Sequence, residues 1–415
     1  MILVAFTSLV KYLILQGQKT IILKRITRWF TVTLVLGLAL ASCGNRIEPL
    51  EDNWESAVPF QPIPQGLVSI RSADCGVCHQ EIYQEWLKST HAHAWTDLQF
   101  QSEIKKESSP YLCINCHIPL ENQQEYLVTG LKNGDIYQPV KEKNPQFDAA
   151  MQQEGIGCAT CHVRDGYIIG TQVTNNAPHP VRVDSSFLSE QLCITCHNAN
   201  AVVTPELVCT FQTGEEWKAG PYAQTQTCIT CHMDTLERAW MAGMPERLSH
   251  RHWFPGSGIP KRKGEQPVAL EGLNFTPDTL PSTYSDADSI RYSITLTNAH
   301  AGHRLPTGDP ERYYLIDLTW LNAANSDTLS HRRFRIGEVW EWYPVAKKIS
   351  DNNLNPLESR TFSIALLPPA EGTYTLHAKV TKHRMTEETA AYHHLTGDYP
   401  TYITVFTGEQ TVTVK

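Results

Sequence analysis

Ten cysteines and five histidines of this chain repeat one pentapeptide, Cys-x-x-Cys-His, at Cys75–His79, Cys113–His117, Cys158–His162, Cys193–His197 and Cys228–His232. Two thiols three residues apart, followed at once by an imidazole, suit covalent attachment of c-type haem. Cys75, Cys78, Cys113, Cys116, Cys158, Cys161, Cys193, Cys196, Cys228 and Cys231 would add to the porphyrin vinyl groups. His79, His117, His162, His197 and His232 would then be the proximal ligands of the irons. Cys-x-x-Cys pairs also hold zinc, but zinc ribbons use them in twos and need no histidine after each pair. Thioredoxin-like redox motifs come singly. Five copies, starting 35 to 45 residues apart, predict five covalent haem c groups.

Each proximal histidine leaves a sixth position on its iron, and what fills it decides the chemistry. A second histidine gives a low-spin iron for electron transfer, methionine raises the potential, and an open position admits substrate. Of the 17 histidines, those outside the motifs outnumber the irons. Met151, Met233, Met241 and Met244 lie near motifs, and nothing marks them as ligands. His179, in Pro178-His179-Pro180, sits on a rigid segment that presents a ring without a helix, and is a candidate distal ligand.

The balance of 35 basic against 43 acidic residues is mildly acidic, with Lys and Arg scattered, which argues against a nucleic-acid partner. Lys24, Arg25 and Arg28 precede an apolar run from Phe30 to Leu40 and then Ala41-Ser42-Cys43, the layout of a secretory signal. Leu40-Ala41-Ser42-Cys43 looks like a lipobox, so Cys43 is the expected lipidation site and the membrane an expected partner through that anchor. Gly44 follows, with no aspartate retention signal, so the outer membrane is the expected destination if the cell has two membranes. Cys209 is left over and is expected to be a buried, inert thiol.

The elements that must carry these residues are legible in part. Residues 1–43 read as the signal, and 44–70, with Pro49, Pro59, Pro62 and Pro64, as an extended linker. Residues 71–260 read as the haem domain, built of short helices and loops because porphyrins replace the usual apolar core. Tyr83, Leu87, His91 and Ala94 share a face of a predicted helix over 81–94. Residues 261–281 read as a second linker. In 282–415, Ile290, Tyr292, Ile294 and Leu296 alternate with polar residues, as do Tyr374, Leu376, Ala378 and Val380, and more loosely Tyr402, Thr404 and Phe406. Such alternation between turns predicts an antiparallel, immunoglobulin-like β-sandwich.

The haem block resembles the cytochrome c-554 class of multihaem carriers. The residues that carry the likeness after the first motif are Tyr83, Trp86, Ser89, His91, Ala92 and Ala94. Gly155-Ile156-Gly157-Cys158 resembles the approach to the third motif of that class, and His252, Phe254 and Gly256 match a His-x-Phe-x-Gly late in the block. Asn298 with Gly302-His303-Arg304-Leu305-Pro306-Thr307-Gly308 resembles a Gly-His-x-x-Pro-Thr-Gly signature of members with a β-sandwich after the haems. The resemblance implies His91, His252 and His303 as distal ligands, with His93 and His250 set aside. Five motifs and the added domain depart from the tetrahaem carrier of that class.

The expected function is electron relay in the cell envelope between redox partner proteins, which needs no catalytic residue. The alternatives are a reductase or oxidase of a small nitrogen or sulfur oxyanion at one five-coordinate haem, or a subunit of an extracellular electron conduit. The nitrite-reducing pentahaem enzymes mark their active haem with lysine in place of the motif histidine, and no Cys-x-x-Cys-Lys occurs here. Intact mass spectrometry of the purified holoprotein is expected to show five haems retained after acid-acetone extraction. Fewer than five, or zinc in their place, would contradict the motif reading.

Overall fold

A computed structural model describes residues 46–51, 55–106, 111–172, 177–204, 207–285, 288–395, 397 and 399–415. Cys43 and the apolar run before it lie outside these residues. The chain divides into two compact units, residues 1–50 with 128–142 and residues 51–127 with 143–415. In the first, β1 (Ile47–Glu48), β2 (Tyr126–Lys132) and β3 (Pro139–Lys143) form a three-stranded sheet in that order. Asn133 and Gly134 follow β2 with φ of 55° and 70°, a left-handed conformation that these two residue types tolerate.

The second unit holds all five motifs and the C-terminal sheets. Around the motifs the described helices are no longer than 8 residues. Short strands join them: β4 (Val163–Arg164), β5 (Tyr167–Gly170) and β6 (Val181–Val183) in one sheet, β7 (Asn200–Thr204) with β8 (Leu207–Thr210), and β9 (Thr235–Ala239) with β10 (Glu246–His250). The apolar core here is one small cluster, Ile70, Leu120, Met151, Ala159 and Val163. So small a cluster leaves most of the interior to be filled by something other than side chains.

Two expectations about this region change. The helix predicted over 81–94 ends at Leu87. The Ser89 hydroxyl, fully buried, accepts from the Ala92 N–H at 3.3 Å and turns the chain, the side-chain-to-backbone competition that makes serine a poor interior helix residue. Residues 58–70, expected as a free linker, are bonded into the unit. Val58 N–H donates to Pro119 O at 2.8 Å, and Gln61 exchanges two bonds with the Asn122 side chain. Proline content had signalled an extended chain, which it is, but not one free of partners.

The C-terminal strands are β11 (Leu273–Pro277), β12 (Thr283–Tyr284), β13 (Ile290–Asn298), β14 (Tyr313–Asn322), β15 (Thr328–Glu341), β16 (Lys347–Asp351), β17 (Ser359–Leu366), β18 (Gly372–His383) and β19 (Tyr402–Val414). They form a three-stranded sheet, β11-β13-β17, and a six-stranded sheet, β12-β19-β18-β14-β15-β16. Both sheets feed one core, which includes Ile290, Tyr292, Ile294 and Leu296 from β13 and Ile316, Leu318 and Trp320 from β14. The period-two reading of β13 and β18 holds, because Tyr374, Leu376, Ala378 and Val380 all face inward. In β19 it is Val412 and Val414 that are buried, while Tyr402 is exposed. One pairing is parallel, Thr283 beside Thr413, where antiparallel strands alone were expected. The predicted 261–281 linker contains β11, with Leu273 opposite Asn298, so the sheets begin earlier than the alternation suggested. Among the described residues no helix is long and apolar enough to cross a membrane.

Asn298, fully buried at the end of β13, holds the loop that follows. Its amide donates to His303 O at 2.9 Å and Leu354 O at 3.1 Å, and its oxygen accepts from Ala301 N–H at 3.3 Å. Asn298→Ala strands these buried groups, and a loss of about 1–3 kcal/mol is expected. Guanidinium unfolding followed by far-UV circular dichroism measures it, and an unchanged midpoint would contradict this role.

Candidate metal centres

Four motifs lie on helices. Cys158–His162 and Cys228–His232 are short helices in themselves, and Cys113–His117 and Cys193–His197 close Tyr111–His117 and Glu190–His197. At 3.6 residues per turn, positions i, i+3 and i+4 share a face, so both thiols and the imidazole of each motif point the same way. In the first motif Cys75 ends the helix Ser72–Cys75, and His79 caps Gln80–Leu87.

Hydrogen bonds fix the ring orientation. Nδ1–H donates to a backbone carbonyl in His79 (Trp240 O, 3.0 Å), His117 (Ala94 O, 2.6 Å), His162 (Ile169 O, 2.9 Å), His252 (His250 O, 3.0 Å) and His303 (Arg304 O, 2.9 Å). A carbonyl only accepts, so the proton is assigned to Nδ1 and the lone pair to Nε2, the arrangement usual for a metal-binding histidine. Burial favours the neutral form of His117, His162, His252 and His303. It lowers His91 and His252 to about 3, and His117, His197 and His232 to about 4. His162, His179 and His303 are also lowered, burial again being the main cause.

The tertiary structure brings motif and non-motif histidines together. Ring centres lie 6.2 Å apart in His91–His197, 6.1 Å in His162–His252 and 6.3 Å in His232–His303. Imidazole nitrogens sit about 2 Å from a bound metal and ~1 Å from their ring centre, so a metal held between two of them separates the centres by about 6 Å. His179 lies near His79, and its buried Nδ1 has no protein partner. His117 differs, because it stacks face to face with Phe100 at 3.6 Å and 3°. No ring contact pairs it with another histidine among the described residues.

Each partner is positioned by its own support. The buried guanidinium of Arg238 binds Glu85 at 2.8 Å and His250 O at 2.7 Å, while Glu85 accepts from His252 N–H at 2.8 Å. His303 stands in the Gly302–Gly308 loop against the helix Thr213–Ala219. Glu216 of that helix accepts from Thr307 Oγ1 at 2.7 Å and Arg304 N–H at 3.2 Å, and Tyr222 OH donates to Ala299 O at 2.9 Å. A Cβ on Gly302 would come within 3.1 Å of the Trp217 ring, so glycine permits the approach.

Residues of all five motifs line one connected cavity of roughly 2250 Å³, well beyond the ~300–1,000 Å³ of a pocket for a single drug-sized ligand. Thiols of different motifs come close along it: Cys75 neighbours Cys158, Cys193 neighbours Cys228, and Cys196 neighbours Cys116. Cys161 lies near Cys196. Cavity, thiols and Nε2 lone pairs fit covalently held haem. The site reading by sequence missed the cations on this wall, Lys261, Arg312, Lys382 and Arg384, since no motif marks them. Of the other histidines, His250 and His300 also line the cavity, while His331 pairs with Asp317 at 3.0 Å, His377 pairs with Glu409 at 3.3 Å, and His383 stacks between Tyr313 and Tyr402.

Residues 74–163, which hold the first three motifs, match the family model described as "Cytochrome c554 and c-prime". Among solved structures, the chain is similar to a penta-heme cytochrome c552 from Thermochromatium tepidum, with 16% identity, a TM-score of 0.57, and coverage of 84% of this chain and 100% of that one. A CARDB domain from Pyrococcus furiosus aligns over 36% of this chain and 95% of its own at 14% identity, but its TM-score of 0.20 is too low to bear on the fold. No curated protein sequence matches. These matches support a multihaem c-type cytochrome with covalent haem c, whose short-helix region is followed by a strand-rich one.

His303→Ala is expected to convert one low-spin haem to high spin in the optical and electron paramagnetic resonance spectra, while mass spectrometry still finds every haem attached. An unchanged low-spin spectrum would make His303 a loop residue only.

Proposed function

We propose that the protein is a pentahaem c-type cytochrome that relays electrons in the cell envelope. Four irons would have paired histidine ligands, His79 with His179, His162 with His252, His197 with His91, and His232 with His303. The observation that carries this reading is the set of three ring pairs at the separation a bound metal imposes. The haems, when bound, supply one-electron redox chemistry. The chain holds their irons, excludes water from them, and sets their potentials through burial and the Nδ1 hydrogen bonds. The thiol contacts support a wiring order, with the first attachment site beside the third, the third beside the fourth, and the fourth beside both the second and the fifth. The Cys193–His197 site is thus the branch point.

The export signal, the lipidated Cys43 and redox partner proteins on the periplasmic or outer face of a membrane belong to this reading and rest on the sequence. Two sheets around one core support an immunoglobulin-like sandwich, and the Asn298 and Gly302–Gly308 geometry supports the role given to the Gly-His-x-x-Pro-Thr-Gly loop. A second reading, reduction or oxidation of a small oxyanion, attaches to one place. The His117 ring, stacked on Phe100, has no histidine opposite it among the described residues, so its iron is the one that would admit a ligand.

Electron paramagnetic resonance of the oxidised holoprotein is expected to show low-spin signals from four haems and a high-spin signal from one, with carbon monoxide binding only the latter after reduction. Five low-spin haems would remove the oxyanion reading, and two or more high-spin haems would overturn the paired-histidine assignment.

A further inference from the structure

We propose that Arg312, Lys382 and Arg384 form an anion-binding site, contributed by the C-terminal sheets to the wall of the cavity and built for a carboxylate or a small oxyanion. The three residues sit together at one end of the six-stranded sheet. Tyr314 lies opposite Lys382, and Tyr313 opposite His383, so Arg312, just before β14, and Arg384, just after β18, continue the same pairing. Like charges placed across adjacent strands repel one another. Lys382 and Arg384 are 9% and 4% exposed, and all three line the cavity.

Their protein partners are neutral. Lys382 Nζ donates to Ser257 O at 2.7 Å, Arg384 to Ile259 O at 2.8 Å and Pro260 O at 3.2 Å, and Arg312 to Thr307 O at 3.0 Å. Arg384 Nη1 and Arg312 Nε are buried with no acceptor. No described carboxylate forms an ion pair with any of the three. Asp309 bears on Arg312, but its oxygens accept from Glu311 N–H and the Gln99 amide. Asp97 bears on Arg384 as well, but it is ion-paired with Lys261, also on this wall. Burial, with Arg312 nearby, pushes Lys382 down to about 7. Buried cations that no carboxylate contacts directly are costly, and an anion entering from the cavity side lowers that cost.

Two sources can supply that anion: a propionate of a covalently held haem, whose presence rests on the function proposed above, or a free oxyanion. Midpoint potentials and anion titrations of the holoprotein tell them apart, using the wild type, Lys382→Met, Arg384→Gln and the charge-conserving Lys382→Arg. With a propionate as occupant, nitrite, sulfite and phosphate do not bind saturably at the site. Lys382→Met and Arg384→Gln then lower the midpoint potential of one haem, because a nearby cation favours the reduced iron, and Lys382→Arg does not. With a free oxyanion as occupant, the wild type binds one of those anions saturably, and the neutral variants weaken binding by about 10- to 100-fold. The proposal is overturned if neither potential nor anion affinity changes, or if Lys382→Arg behaves as Lys382→Met does. Haem count and spin state, read on the same samples, report separately on the relay reading.

Discussion

An imidazole has one lone pair to give, and in this protein backbone carbonyls decide which nitrogen gives it. By accepting the Nδ1 proton of His79, His117, His162, His252 and His303, they direct Nε2 into the cavity, and burial favours the neutral form of His117, His162, His252 and His303. Much of the remaining structure can be understood as support for those carbonyls. The turn that follows Leu87 brings Ala94 O to His117, and the hairpin of β4 and β5 brings Ile169 O to His162. The Glu85–Arg238 pair anchors the segment carrying His252. The small cluster around Leu120 and Met151 could not hold so many short helices by itself, and their order depends on what fills the space between them.

The C-terminal sheets have no cysteine motif, yet they are built into the same unit by polar contacts at defined points. Glu216 grips the Gly302–Gly308 loop through Thr307 and Arg304. Tyr399 donates to both oxygens of Asp97 at 3.1–3.2 Å, where Lys261 also pairs, and Lys382 and Arg384 reach back to the carbonyls of Ser257, Ile259 and Pro260. The sheets have an extensive apolar core of their own, so their fold does not depend on the cavity. What they give the cavity is His303, positive charge and part of its wall.

Sequence alone made the covalent chemistry legible, because Cys-x-x-Cys-His is local and a helix turn carries its three reactive groups to one face. It also made β13 and β18 legible, since a strand's period of two is written residue by residue. Which ring faces which motif was settled by the tertiary structure alone, since His303 meets His232 across 71 positions of chain and His91 meets His197 across 106. The early start of the sheets at Leu273 and the Phe100 stack on His117 were equally out of reach, as was the gathering of Arg312, Lys382 and Arg384 on one wall. Each depends on contacts between residues remote in sequence, and periodicity and spacing describe only neighbours along the chain.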